Sequence, residues 1–146
     1  MKINCIGRPI LRTSVSGKII IGKELKLNSS KFANMIGRTH RCHFIAKGDL
    51  ITGNNVGISS STIICHDKME ILDNVRIGGN VIIYDTDFHS LNAEERTSIP
   101  EDTSHVRKSP VLIKENVFIG AHSIILKGST IGKNSVIGAG SIVSGK

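Results

Sequence analysis

Large aromatic rings are nearly missing from this chain of 146 residues, which has no tryptophan, one tyrosine and four phenylalanines. Hydrophobic residues still make up 39% of it, so the core must be narrow, a stack of Ile and Val with no room for large rings. No apolar run reaches the roughly 18 residues that a transmembrane helix needs. The N-terminal stretch MKINCIGRPILRTSVSG holds no sustained apolar segment, which argues against a signal peptide. Cysteine is scarce too: Cys5, Cys42 and Cys65 are widely spaced and form no CxxC. An odd number without a framework points to free thiols in a reducing cytoplasm, and Cys65, at a repeat position, reads as a small buried residue. Few aromatics and no reader motif argue against nucleic acid as a partner.

A rhythm of six residues replaces the missing bulk. Ile113, Ile119, Ile125, Ile131, Ile137 and Val143 follow one another at that spacing. Four residues after the first five come the small Val117, Ser123, Ser129, Ser135 and Ser141, and Gly120, Gly132 and Gly138 follow three of the isoleucines. A period of six suits neither an amphipathic helix nor a plain alternating strand. It suits short extended segments joined by tight corners, where glycine adopts backbone angles closed to other residues. Upstream, Ile58, Ile64, Ile71, Ile77 and Ile83 keep the rhythm with one step of seven, which predicts a one-residue bulge there. Val75 and Val81 fill the small inward slot and Gly78 a corner, and an outlying unit occurs at Ile21-Gly22 with Leu25 and Leu27. The expectation is an all-β solenoid of three short faces per coil, about 18 residues per turn, coils stacked at roughly 4.8 Å, and about five turns.

The run IGAHSIILKGSTIGKNSVIGAGSIVSGK resembles the hexapeptide-repeat acyltransferases. Within them, YDTDFHSL at 84–91 and the preceding NNVGISSSTIICHD are similar to the maltose/galactoside acetyltransferase-like branch, which includes capsule and exopolysaccharide O-acetyltransferases. The resemblance covers roughly residues 19–146. It implies a left-handed parallel β-helix, a hand that periodicity alone does not give and that breaks the usual rule for parallel crossovers. Residues 1–146 are expected to form a single domain of this kind, with loop excursions over about 28–50 and 85–110. Pro100 and Pro110 keep the second excursion from forming a regular strand.

The implied chemistry is transfer of an acetyl group from acetyl-CoA, as co-substrate, to a sugar hydroxyl in polysaccharide biosynthesis. Such a transfer needs a base that works near neutral pH, and histidine supplies one. His89 stands where the family motif has its catalytic histidine. Asp85 or Asp87 either orients the imidazole or binds sugar hydroxyls, and a backbone N–H is the expected oxyanion donor. Asp67, next to His66, falls on an acidic position of the acceptor pattern, whereas Ser59 stands where an asparagine is common in sugar-acetylating relatives. For acetyl-CoA the resemblance points to Phe118, Gly120, Ala121, Gly138, Ala139 and Ser144, with Lys127, Lys133 and Lys146 as point charges for the phosphates. It also implies a homotrimer with active sites between subunits. In relatives the chain runs on past the equivalent of GSIVSGK into a proline-containing turn and a capping tail. Either the sequence is cut short at Lys146, or a chain that ends there holds acetyl-CoA less firmly or takes its cap from another subunit.

Charge divides the chain. Residues 1–47 hold ten basic residues against Glu24, a net of +9, whereas 85–102 holds six acidic residues against Arg96, a net of −5. The basic end is expected to face an anionic partner: a nucleotide- or lipid-linked sugar, a membrane surface touched peripherally, or the acidic loop of a neighbouring subunit. Three alternatives share parts of this pattern. An N-acetyltransferase on an amino sugar would show the same features. A zinc enzyme resembling the γ-class carbonic anhydrases needs two histidines five residues apart, a spacing absent here, so no metal is expected. A non-catalytic assembly module would leave the DTDFHSL segment unexplained.

Overall fold

A computed structural model describes residues 1–30 and 40–145. Strands numbered in chain order build three parallel sheets, each one face of a triangular coil. Face A stacks β1 (Lys2–Gly7), β4 (Glu24–Ser29), β7 (Val56–Ser59), β10 (Arg76–Ile77), β13 (Phe118–Ile119) and β16 (Val136–Ile137). Face B stacks β2 (Ile10–Thr13), β5 (His43–Ala46), β8 (Thr62–Cys65), β11 (Ile82–Tyr84), β14 (Ile124–Ile125) and β17 (Ile142–Val143). Face C holds β3 (Lys18–Ile21), β6 (Asp49–Thr52), β9 (Lys68–Ile71), β12 (Val111–Ile113) and β15 (Thr130–Ile131). The one helix among the described residues is α1 (Ala93–Thr97). This is the left-handed parallel β-helix that the repeat and the resemblance implied.

Inward side chains align column over column, because parallel register places each residue above its equivalent. Leu27, Ile58, Ile77, Ile119 and Ile137 make one column. Phe44, Ile63, Ile83, Ile125 and Val143 make a second, and Thr52, Ile71, Ile113 and Ile131 a third. Most of these residues are fully buried, and each buried Ile contributes about 1.5–3 kcal/mol. The small inward serines lie at the bends with their hydroxyls satisfied. Ser123 Oγ donates to Gly138 O at 3.0 Å, and Ser129 Oγ to Leu126 O at 2.7 Å and Val143 O at 3.2 Å. These bonds tie each buried hydroxyl to the main chain and remove the cost of burying it.

The corners differ from the glycine expectation. Asn55, Asn74, Asn116 and Asn134 take the left-handed φ, between 53° and 63°, at one edge of the prism. Their amides form a chain of hydrogen bonds from coil to coil at 2.9, 3.1 and 2.9 Å. Asparagine tolerates this conformation better than other residues with a Cβ, and here each side chain also braces the next. On another edge Asn80 and His122 do the same at 3.0 Å. Gly120 serves closeness instead: a Cβ there would lie 2.5 Å from Ala139 N, so only glycine lets the two coils approach.

Four sequence expectations need correction. Faces A and B carry six strands each, so the coil makes nearly six turns, not five. The extra turn is β1–β3, whose inward Ile3 and Leu11 lie on the open end at 44% and 56% exposure and so lack the signature of a core. The residue in the core column is Ile63, paired with Ile83, and Ile64 faces outward. The chain takes five residues from Ile58 to Ile63 and eight on to Ile71, with Ser60 at φ 41° making the irregular corner before β8 and Cys65 buried at the strand's far end. Finally, β5 and the start of β6 bring residues 43–46 and 49–50 back into the coil, so the first excursion ends earlier than expected; residues 31–39 of it lie outside the described residues.

This register is testable by paired truncation. Ile63→Ala should cost about 2–5 kcal/mol in urea unfolding and Ile64→Ala well under half of that. Equal losses would contradict the inward assignment.

Candidate active site

The chain leaves the coil where β11 ends, at the edge between faces B and C, and re-enters at β12. Exit and return are clamped together. Thr86 and Lys108 form an antiparallel bridge, Ser109 N donates to Asp85 O at 2.9 Å and Asp87 N to Arg107 O at 3.0 Å. Below them Asp85 is fully buried, and its carboxylate accepts from His66 N at 2.7 Å and Asp67 N at 2.8 Å in the coil beneath. Burial, followed by the Asp85 charge, pushes the Cys65 thiol up to about 12, which makes it inert as a nucleophile.

From this anchor the chain turns sharply through Phe88, a non-glycine residue at φ 64°. Thr86 Oγ1 accepts from Phe88 N at 3.1 Å, His89 N donates to Asp87 O at 2.7 Å, and the Phe88 ring packs against His66 and Tyr84 at 5.7 and 5.4 Å between centroids. Partial burial, with Lys47 nearby, holds the His66 imidazole below its ordinary pKa, so it faces the corner as a neutral ring. The turn carries His89 out of the coil with its side chain 62% exposed.

Its partner is Glu101, whose carboxylate oxygens lie 2.8 and 3.0 Å from His89 Nδ1. A carboxylate at Nδ1 fixes the tautomer with the proton on that nitrogen, which leaves Nε2 a lone pair directed outward. Sequence reasoning missed Glu101, twelve residues away across a charged loop without a period. It offered Asp85 and Asp87 as orienting groups, and neither touches the imidazole. Asp85 is spent on the backbone of the coil below, and Asp87 pairs with Lys127 Nζ at 2.7 Å while its buried Oδ2 has no partner. The short helix steadies the loop: Asn92 caps it, the Glu95 carboxylate takes the Ser90 hydroxyl and His105 Nδ1, and Arg96 holds Ser90 O at 2.9 Å. The Ser90 hydroxyl, then His105, keeps the Glu95 carboxyl below the usual range.

The remaining candidates do not gather around His89. Asp67 is exposed on the same B–C edge, and Ser144 lies on that edge near the end of the described chain. Ser59 is on face A. Phe118 points outward from face A at 48% exposure, and Gly120, Ala121, Gly138 and Ala139 stack at the A–B edge. Lys127 is paired with Asp87, Lys133 is exposed and Lys146 lies outside the described residues. One chain therefore presents the His89–Glu101 pair on one edge of the prism and the stacked Gly and Ala corners on another.

Comparison with known proteins agrees with the fold and the repeat. Residues 110–145 match the bacterial transferase hexapeptide family, six repeats. A hexapeptide-repeat acetyltransferase of Vibrio cholerae O1 biovar eltor, solved with acetyl coenzyme A, is 28% identical over 70% of this chain and 52% of its own, with a TM-score of 0.58. Another structure of that Vibrio cholerae protein, at 22% identity, 87% and 62% coverage and a TM-score of 0.61, is alike in fold. A maltose O-acetyltransferase of Clostridium difficile 630 is 32% identical over 90% of this chain and 59% of its own, with a TM-score of 0.54. The chain thus spans about half to three fifths of the length of these structures. No curated protein sequence matches it. The expected likeness to hexapeptide-repeat acetyltransferases, a maltose O-acetyltransferase among them, is therefore found.

The tautomer assignment has its own readout. Nitrogen-15 histidine spectra should show His89 protonated at Nδ1 near neutral pH, and Glu101→Gln should weaken that preference without lowering the melting temperature. A proton on Nε2 in the wild type would contradict it.

Proposed function

We propose that the chain is an acetyl-CoA-dependent O-acetyltransferase acting on a sugar hydroxyl, with His89 as general base. The observation that carries this reading is the His89–Glu101 pair, an exposed imidazole with Nδ1 engaged and Nε2 free, on the DTDFHSL segment of a fold whose solved relatives are acetyltransferases. Nε2 takes the proton as the acceptor hydroxyl attacks the thioester carbonyl, and the imidazolium, stabilised by Glu101, returns it to the departing sulfur. The proton balance closes without a metal or a covalent enzyme intermediate.

The wall at the A–B edge fits the other substrate. A Cβ on Gly78 would lie 2.8 Å from Ala121 N and one on Gly120 2.5 Å from Ala139 N, so the coils stack closely there and leave a low wall of backbone and alanine methyls that suits a narrow pantetheine arm. Gly120, Ala121, Gly138 and Ala139 line that wall and Phe118 borders it on face A, while Ser144, on the B–C edge, meets the cofactor from the subunit that carries the base. Since His89 and the wall sit on different edges, the working site joins the B–C edge of one subunit to the A–B side of another. A homotrimer closes three such sites at once. Asp67 and Asp87 then face the acceptor from the base's side and Ser59 from the groove side.

The setting is cytoplasmic, where acetyl-CoA is made, with an acceptor from polysaccharide assembly. No helix among the described residues is long and apolar enough to cross a membrane. A peripheral contact of the basic end with a membrane or lipid-linked acceptor belongs to the same proposal.

Mass spectrometry of acetyl transfer from acetyl-CoA to a saccharide panel tests this reading. Wild type should add an alkali-labile acetyl ester, and His89→Ala should lower the rate by about 10²–10⁴. An alkali-stable amide on amino sugars would favour the N-acetyl alternative, and an unchanged rate in the variant would remove His89 as base.

A further inference from the structure

Face A carries an open groove of about 900 Å³ that crosses β1, β4, β7, β10 and β13. Asn4, Lys26, Asn28, Ser59, Arg76 and Phe118 supply its polar and aromatic lining, which holds no acidic residue; Glu24, at its border, accepts from Asn4 Nδ2 at 3.3 Å. The trough exists because Gly57 has no side chain: a Cβ there would lie 3.0 Å from Arg76 Cδ, so the arginine stem lies across bare backbone. The guanidinium is fixed from behind. Nη1 donates to Asn55 O and, at 3.1 Å, to Val75 O, and Nη2 to Asn55 Oδ1 at 3.1 Å. All of these acceptors are neutral, and Arg76 forms no ion pair among the described residues. Lys26 stands alongside, its Nζ 3.3 Å from the same Asn55 oxygen and 3.7 Å from Glu24.

A preoriented, uncompensated guanidinium selects a carboxylate or phosphate, which it binds with paired N–H donors. Amides and a serine hydroxyl beside it suit ring hydroxyls, and a half-exposed phenyl ring suits the apolar face of a sugar. We propose that this groove is the acceptor site and that the acceptor is an acidic saccharide, with an anionic group held by Arg76 near the hydroxyl that is acetylated. This inference rests on the acetyltransferase reading and names its substrate class. It also gives Ser59 a setting, since the serine lies in the same groove. Arg76 acts here as a specificity-determining residue and takes no part in the proton transfer.

Equilibrium binding to the full chain, by ligand-observed nuclear magnetic resonance, decides it with three probes: trigalacturonate, glucose 1-phosphate and uncharged maltotriose. At least one acidic probe should bind tenfold or more tighter than maltotriose, with an advantage that shrinks as salt rises. Which acidic probe binds tighter tells carboxylate from phosphate. Arg76→Gln should abolish the advantage and Arg76→Lys should keep part of it, whereas His89→Ala should leave it intact. Maltotriose binding as tightly as both acidic probes, an unchanged preference in Arg76→Gln, or displacement of the acidic probe by free coenzyme A would each overturn the proposal. Acidic probes that bind through Arg76 while no saccharide is ever acetylated would support the groove and overturn the catalytic reading. Faster acetylation of neutral than of acidic sugars would overturn the groove and leave His89 in place.

Discussion

Parallel stacking of short strands governs this molecule. Each inward residue must lie over its equivalent one coil below, at the fixed spacing of a hydrogen-bonded parallel sheet. That requirement explains the poverty in large rings, because a column of Ile and Val fills the triangular interior without a bulge. It explains the serines at the bends, whose hydroxyls return to main-chain carbonyls, and the asparagine chain at one edge. It also dictates where function can reside. The faces are committed to pairing, so extra chain can leave only at an edge, and the long departure after Tyr84 does so between faces B and C.

A buried carboxylate makes that departure rigid. Asp85 accepts two backbone N–H bonds from the coil below while its own carbonyl accepts from Ser109 at the point of return. Bonds of this charge-assisted kind offset the cost of burying the charge and position the exit strand. The left-handed turn at Phe88 then aims His89 outward, and Glu101 sets its tautomer. Strain at one non-glycine residue is held by the packed Tyr84–Phe88–His66 cluster. Anchor, turn and exposed imidazole thus follow one another within five residues of sequence.

The repeat from Ile113 to Val143 was legible because it is unbroken, and the structure keeps every one of those residues in its column. The Ile64 assignment failed because two isoleucines stand side by side, and only the register with Ile83 tells which faces in. The first coil escaped notice because a column at an open end buries little, so its pattern carries weak contrast. The Asn-bearing corners were visible as NN, DN, EN and KN pairs at 54–55, 73–74, 115–116 and 133–134, a signal that attention to glycine passed over. At the site, His89 was singled out from its motif as the candidate base, and the structure places Glu101 against its Nδ1. Glu101 was not legible, because its contact spans a loop whose path depends on α1 and the clamp at Thr86. Arg76 was equally hidden, since its setting depends on a glycine in another coil.

The central proposal is that a working site joins the B–C edge of one chain to the A–B side of another. Intersubunit complementation tests it most directly, with His89→Ala and a wall-blocking Gly138→Trp chain produced together and assembled into mixed oligomers. Each variant alone should be inactive, yet random mixing should restore about a quarter of wild-type turnover, because that share of sites pairs an intact base with an intact wall. Mixed oligomers with no activity above either parent would contradict the shared site and place base and wall in one chain.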